Sequence, residues 1–472
     1  MPCGARAATV PAMTTITSPT SSLTTALRAA GFVGRIVEPL DPDYDRARAG
    51  WNGAVDRRPA AVAYAGDADD VAAAVRAARA GELPFTIRAG GHSVAGRSVR
   101  DGALCVDLRG LRRIEVDAET AIVRAGGGAL LGELDAATQE HGLAVPGGQV
   151  SHTGLGGLTL GGGLGWLMRR HGLTVDSLRA AEVVLADGRI VRASAIEHPD
   201  LFWALRGGGG DFAAVTCFEF AAHRVGPTVL AGMLVYPWER AREALCAARA
   251  LMTGAPDDLT TFVALITAPP EAPFPEELQG RRVAVVAVAW SGALAEGERV
   301  LAPLRAGLPP ALDLVAPMPY VGLQTMLDET APHGWRFYDR LHYLPEVSDD
   351  FVDSLLAGVE RAPHPLAHVM TAWMGGAVDR VAPGETAFGH RGAHALTWII
   401  GCSGDDPVEP VTAWVRDVWN ATARFAAGGV YVNALDAGRP VRDAYADEIW
   451  ERLVAVKRRY DPDGAFEGNG IR

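Results

Sequence analysis

The chain has 472 residues, room for two to four folding units at roughly 100–200 residues each. Its 44 basic and 56 acidic residues leave a net charge of −12, which argues against the basic face that nucleic acid or an anionic membrane demands. Lys457 is the only lysine and sits in the charged run Val456-Lys457-Arg458-Arg459, so a P-loop and a pyridoxal-phosphate Schiff base are both excluded.

Residues 1–54 read as a leader rich in Thr, Ser, Ala and Pro followed by a short helix, with Met13 as a second candidate start. The leader lacks the apolar run of a signal peptide, and no stretch of 18 apolar residues runs uninterrupted. A cytoplasmic protein without a membrane span is expected. A helix is predicted over 69–80, where Val71, Ala74, Val75 and Ala78 share a face behind the capping residues Asp67 and Asp69. Short strands follow at 85–88, 104–107 and 121–124, then an amphipathic helix over 130–141 that Gly142 stops. The run 147–165 is too glycine-rich for helix or strand, and 176–192 reads as two strands joined at Asp187-Gly188.

Beyond Pro227 the pattern changes. Helices predicted at 239–252, 293–306 and 349–361 alternate with strands at 261–266, 283–289, 368–374 and 395–400. The tail carries a short strand at 431–433 and a helix over 441–460. The expected organisation is an α+β unit over 55–225, a second domain over 226–424 with an antiparallel sheet backed by helices, and a C-terminal segment over 425–472.

The common chemical motifs are absent. The cysteines, at 3, 105, 217, 246 and 402, form no CxxC pair, so neither a zinc knuckle nor a redox dithiol is expected, and no metal site is. No glycine triplet fits GxGxxG, Gly91-His92-Ser93-Val94-Ala95 misses the GxSxG elbow, and there is no HExxH. What stands out is glycine itself, 55 residues in all, concentrated in two loops. The first is Arg88-Ala89-Gly90-Gly91-His92-Ser93-Val94-Ala95-Gly96-Arg97-Ser98; the second runs from Gly147 through Val150, Ser151, His152 and Thr153 to Trp166. Two such loops, offering backbone N–H groups and few side chains, suit a large anionic cofactor with a pyrophosphate. The plainer reading, that both are tight turns, would suffice for one Gly-Gly pair but suits two loops less well.

These loops resemble the histidine loop and pyrophosphate loop of the berberine-bridge-enzyme-like flavin oxidases, members of the vanillyl-alcohol-oxidase or PCMH-type FAD-binding superfamily. The segments 166–177 and 199–210, Tyr431-Val432-Asn433, and Tyr460-Asp461-Pro462-Asp463 through Asn469 continue the likeness over residues 55–472. The resemblance implies a two-part FAD-binding domain over 55–225, a substrate domain over 226–424, and a C-terminal segment completing the cofactor site. It implies an oxidase of a small secondary metabolite that passes hydride to the flavin and electrons to dioxygen, giving hydrogen peroxide. It further implies FAD bound covalently through His92. The implied cofactor contacts are Arg88, Ala89, Gly90, Gly91, His92, Ser93, Gly96 and Ser98 in the first loop. In the second they are Gly147, Val150, Ser151, Thr153, Gly154, Gly157, Leu158, Gly161, Gly162, Gly163, Gly165 and Trp166, with Val183, Tyr431, Asn433 and Asn469 farther on.

Three departures from the family pattern bear on the chemistry. Many relatives attach the flavin a second time through a cysteine where this chain has Val150, and valine forms no thioether, so single attachment is expected. Relatives carry Gly-Asn-Phe-Gly where this chain has Gly210-Asp211-Phe212-Ala213, and several follow Tyr-x-Asn with a second tyrosine where this chain has Ala434. For the catalytic base the candidates are Tyr431, Tyr338 and His394, with Tyr343 and His390 behind them, and Trp373 and Trp398 are candidate substrate walls. A second reading keeps the fold without redox turnover, as a natural-product-sequestering protein or a non-redox cyclase. A third passes the electrons to a protein partner.

Overall fold

A computed structural model describes residues 19–436 and 438–472. The leader through Ser18, Met13 included, lies outside the described residues; a helix at Pro19–Ala29 follows it.

The helix Ala68–Ala80 begins where Asp67 accepts the N–H of Asp70 at 2.8 Å. It is buried on more than one face because it lies between two sheets, touching Ala63 and Val106 of one and Val184 and Ala214 of the other. Its abundance of alanine fits that narrow space. The first sheet has four strands in the order Arg35–Val37, Ala61–Tyr64, Leu104–Asp107 and Phe85–Arg88, the last three parallel. The second is antiparallel with five strands, Ile114–Asp117, Ile122–Gly126, Ala214–Ala221, Leu178–Val184 and Ile190–Ser194. Its last two strands form the hairpin expected at Asp187-Gly188, with Gly188 at φ 81°.

The third sheet has eight antiparallel strands. Six of them run in the order Thr228–Pro237, Arg282–Trp290, Leu259–Thr267, His368–Trp373, Ala395–Cys402 and Phe337–Leu344, the last at the sheet edge. The helices Ala241–Met252, Leu294–Gly307, Asp349–Val359 and Glu409–Thr422 bury their apolar sides on one face of it. The opposite face meets Trp166, Leu167 and Met168 just beyond the second glycine loop. The expected α+β class, with an antiparallel sheet backed by helices, is therefore what folds.

Three local expectations are corrected. The glycine-rich run contains a helix, Leu155–Gly161, because Leu155 and Leu160 anchor in a core that outweighs the poor propensity of glycine. Tyr431–Asn433 is not a strand; Val432–Ala434 forms a 3-10 turn. The tail helix is broken as well. A turn at Val441–Ala444 and the helix Asp447–Tyr460 flank Tyr445, which is extended at φ −135° and donates its hydroxyl to Gly207 O at 3.1 Å.

The lone lysine ties down the end of the chain. Lys457 Nζ donates to Asp211 O, Asp461 Oδ2 and Phe466 O, each at 2.6 Å, with lysine and aspartate both buried. Removing the amine strands a buried carboxylate and two carbonyls. Lys457→Met is expected to cost about 3–5 kcal/mol in urea unfolding, the usual loss on breaking a buried pair from one side. A loss under about 1 kcal/mol would show that the tail is held by something else.

Candidate functional site

The two glycine loops, the C-terminal tail and one face of the large sheet enclose a cavity of about 410 Å³. The first loop is set from below. Arg88, fully buried, donates to Asp107 Oδ2 through Nε at 2.7 Å and to Ala47 O at 2.5 Å, and Trp51 N–H reaches Gly91 O at 3.0 Å. Arg88 therefore braces the loop from behind the cavity wall. The second loop crosses the first with main chain against main chain. A Cβ on Gly90 would stand 2.4 Å from Gly154 N, and one on Gly154 would stand 2.2 Å from Gly90 N. This crossing brings His92 Nε2 to 3.2 Å from His152 Nδ1. Trp51 stacks on the His92 ring at 4.1 Å, and Phe337 stacks on Trp51 at 4.2 Å. Burial, with His152 and His333 nearby, lowers the His92 pKa to about 3, so the imidazole is neutral.

The glycines divide into two kinds. Gly157 and Gly210 line the cavity with nothing within 4 Å of where a Cβ would stand. Gly161, Gly162, Gly163 and Gly165 instead admit protein, namely Asn433, Phe388, Thr174 and the Gly147 carbonyl. Ala89, Gly90, Gly91, Ser93, Ser98, Val150, Thr153, Gly154, Leu158 and Asn469 join His92 in the wall. Gly96 packs on Val55, Trp166 on Phe262, Val183 lies in a core, and Ser151 bonds to Asp328 through its N–H at 2.7 Å. Val150 brings no sulfur to the wall, and none of the described cysteines lines it.

Two donors missed in the sequence stand at the same wall. Gln149 Nε2 and Arg97 Nε are buried and have no partner. A glycine-floored cavity with orphaned donors fits a large polar cofactor, whose oxygens would satisfy them.

The remaining wall belongs to the sheet. Side chains alternate along Phe337–Leu344, so Phe337, Asp339, Leu341 and Tyr343 share one face and Tyr338 and Arg340 the other. Cross-strand pairing sets Asp339, Ile400 and His368 in one row and Leu341, Trp398 and Met370 in the next. Asp339 accepts the Trp398 indole N–H at 2.6 Å, and burial pushes its carboxyl up to about 7, with the Asp436 charge adding to the rise. It is an ionisable group facing the cavity that the sequence reading passed over. The available signal was a lone acid among the apolar residues of one strand face.

The expected bases sit differently. Tyr431 is buried at the wall, its oxygen accepting Gly163 N–H at 3.1 Å and Asn433 Nδ2–H at 2.9 Å. Tyr338 bonds to Asp436 Oδ2 at 3.0 Å in a separate cleft, and His394 is exposed. Tyr343 and His390 stack on each other away from the wall. Trp398 lines the cavity, whereas Trp373 points into the helix-side core.

Asp211 now has a role. Fully buried, it accepts the backbone N–H groups of Asn469 at 2.8 Å, Gly470 at 2.8 Å and Ile471 at 3.1 Å. Arg97 donates to Asn469 O at 3.2 Å and Asp436 O at 3.3 Å. Together they clamp the tail over the glycine loops.

Comparison with known proteins gives a consistent result. A family described as an FAD binding domain matches residues 59–194. An FAD-linked oxidoreductase of Dictyostelium discoideum is 30% identical over 424 residues, covering 89% of this chain and 90% of that protein. The (R)-6-hydroxynicotine oxidase of Paenarthrobacter nicotinovorans is 29% identical, covering 92% and 96%. The solved glucooligosaccharide oxidase of Acremonium strictum, titled as carrying 6-S-cysteinyl, 8α-N1-histidyl FAD, superposes with a TM-score of 0.82 at 25% identity, covering 95% and 98%.

The two kinds of glycine separate experimentally. Gly157→Val, whose side chain enters the cavity, is expected to keep the unliganded melting temperature within a few degrees and to weaken flavin binding at least about tenfold. Gly163→Val, placed on Thr174 at φ 85°, is expected to unfold the protein instead. Calorimetry and flavin titration distinguish them; full flavin affinity in Gly157→Val would move the cofactor elsewhere.

Proposed function

The chain belongs to the berberine-bridge-enzyme-like FAD-linked oxidoreductases of the PCMH type, and from that premise we propose that it is an oxidase of a compact small-molecule alcohol or amine, with dioxygen as electron acceptor and hydrogen peroxide as product. Bound FAD supplies the two-electron acceptor. The protein's own residues do the rest. The observation that carries this reading is Asp339, a carboxyl held at the cavity wall by the Trp398 indole among Met370, Ile400 and His368.

Oxidising an alcohol or amine carbon removes a proton as well as a hydride, and the proton needs an acceptor. Asp339 is that acceptor in this reading. With its pKa near 7 it is ionised above neutrality and protonated below, so acid removes the base. Tyr431 keeps the second loop in place through Gly163 rather than receiving the proton. The apolar side chains of Met370, Trp398 and Ile400 at the cavity wall exclude water and favour an apolar or aromatic substrate face over a carbohydrate, whose hydroxyls need many partners.

His92 holds the cofactor covalently at the flavin 8α carbon, the only attachment, because Val150 offers no second nucleophile. The bond retains FAD and raises its potential through the electron-withdrawing imidazole. Asp211 and the missing second tyrosine, the two departures that would favour a non-redox protein, both have other accounts. Asp211 is occupied by the tail, and Asp339 provides a proton acceptor where Ala434 does not.

Flavin reduction by a turnover substrate under anaerobic conditions tests the base. Asp339→Asn is expected to slow it by about 10²–10⁴-fold with flavin loading unchanged. The wild-type rate is expected to fall as pH drops below about 7 and to level off above it. Reduction at the wild-type rate in Asp339→Asn would eliminate this carboxyl as the base. Separately, acid precipitation is expected to leave flavin on the wild-type protein and release it from His92→Ala; a flavinylated peptide containing Val150 would contradict single attachment.

A further inference from the structure

Three histidines from three separate segments meet beside the cavity. His92 comes from the first loop, His152 from the second, and His333 from the loop that leads into the strand Phe337–Leu344. His92 Nε2 is 3.2 Å from His152 Nδ1, and the His152 and His333 ring centroids are 5.0 Å apart. His92 is at the cavity wall, His152 lies off it, and His333 is exposed. The row therefore runs from the cofactor site to solvent. Substrate oxidation as derived above uses neither His152 nor His333.

One hydrogen fits between Nε2 of His92 and Nδ1 of His152. With that hydrogen on His92, His152 accepts it, and His92 Nδ1 keeps a free lone pair. A bond from Nδ1 to carbon, with Nε2 still protonated, would leave an imidazolium pressed against two other histidines in a partly desolvated site. The surroundings that keep His92 neutral make that product costly. The proton must leave as the bond forms.

We propose that His152 takes the Nε2 proton of His92 while His92 Nδ1 bonds to the flavin 8α carbon, and that His333 passes that proton to solvent. The proposal rests on the covalent-FAD reading above. In the step, the 8α C–H bond breaks, the Nδ1–C8α bond forms, and the C–H electron pair leaves the isoalloxazine reduced by two electrons. The proton lost from carbon and the one lost from His92 equal the two that the reduced ring takes up. Dioxygen then reoxidises the ring, leaving as hydrogen peroxide. His152 is thus a positioning residue for attachment that touches neither substrate nor the reacting carbon.

The test follows covalent incorporation of FAD into protein made in a riboflavin-limited host, read as acid-precipitable flavin against time. His152→Ala is expected to bind FAD without the covalent bond and to attach it about 10²-fold or more slowly, with free imidazole in the buffer restoring part of the rate. His152→Gln, which keeps a hydrogen bond to His92 but is not basic, is expected to be as slow. His333→Ala is expected to slow attachment by a smaller factor. Attachment at the wild-type rate in His152→Ala would overturn the proposal. So would full recovery in His152→Gln, which would make the contact one of ring orientation alone. Wild-type protein that binds FAD and never forms the bond would refute attachment and relay together while leaving the redox reading to the reduction experiment. Wild-type protein that takes up no FAD would refute the underlying reading itself.

Discussion

Two loops can cross with main chain against main chain only where neither carries a side chain at the crossing. Gly90 and Gly154 meet in this way, each leaving less than 2.5 Å for a Cβ of its partner. Everything at the cofactor end of the cavity follows from that contact. It fixes the distance between the two loops, sets His92 against His152, and leaves Gly157 open toward the cavity. The contact is braced from outside by two groups that do not reach the cavity, the buried ion pair of Arg88 with Asp107 and the hydrogen bonds of Ser151 to the half-buried Asp328. The desolvation cost of the ion pair is offset by several hydrogen bonds to each of its members, the condition under which such pairs persist.

The other walls arise from different physics. The sheet wall is a matter of period two. One strand alternates Asp339, facing the cavity, with Tyr338 and Arg340, facing the helices. A shift of one residue would exchange the two sets, and pairing with Ile400 and Trp398 prevents it. The tail wall is held by buried charge instead. Asp211 accepts the main-chain N–H groups of Asn469, Gly470 and Ile471, and Lys457 joins Phe466 O to Asp211 O and Asp461, which places Phe466, Gly468 and Asn469 at the cavity without a regular element.

Much of this was legible in the sequence. The Asp67 cap, the Asp187-Gly188 hairpin and four strands of the large sheet follow from local pattern, whereas Thr228–Pro237 and Phe337–Leu344 do not, and the two glycine loops announce a place where backbone must approach something closely. What that something is was less legible. For Gly90 and Gly161 it is protein, for Gly157 and Gly210 it is the cavity, and no local pattern separates them because the difference is made by distant residues such as Asn433. The helix Leu155–Gly161 was hidden by poor propensity and rescued by burial. Tyr338 is a candidate base in the sequence, yet its neighbour Asp339 is the residue that faces the cavity. Reading the run as a strand would have placed the acid on the apolar face and the tyrosine on the other. Asp211 looked like an intrusion near the cofactor and proves to be a clamp on a segment more than 250 residues away.

The central claim is that this cavity holds one FAD, and the most direct measurement is the visible absorption spectrum and FAD content of the purified protein after exhaustive desalting. The account predicts a yellow protein with oxidised-flavin bands and one FAD per chain. A correctly folded, colourless protein that takes up no added FAD would contradict it.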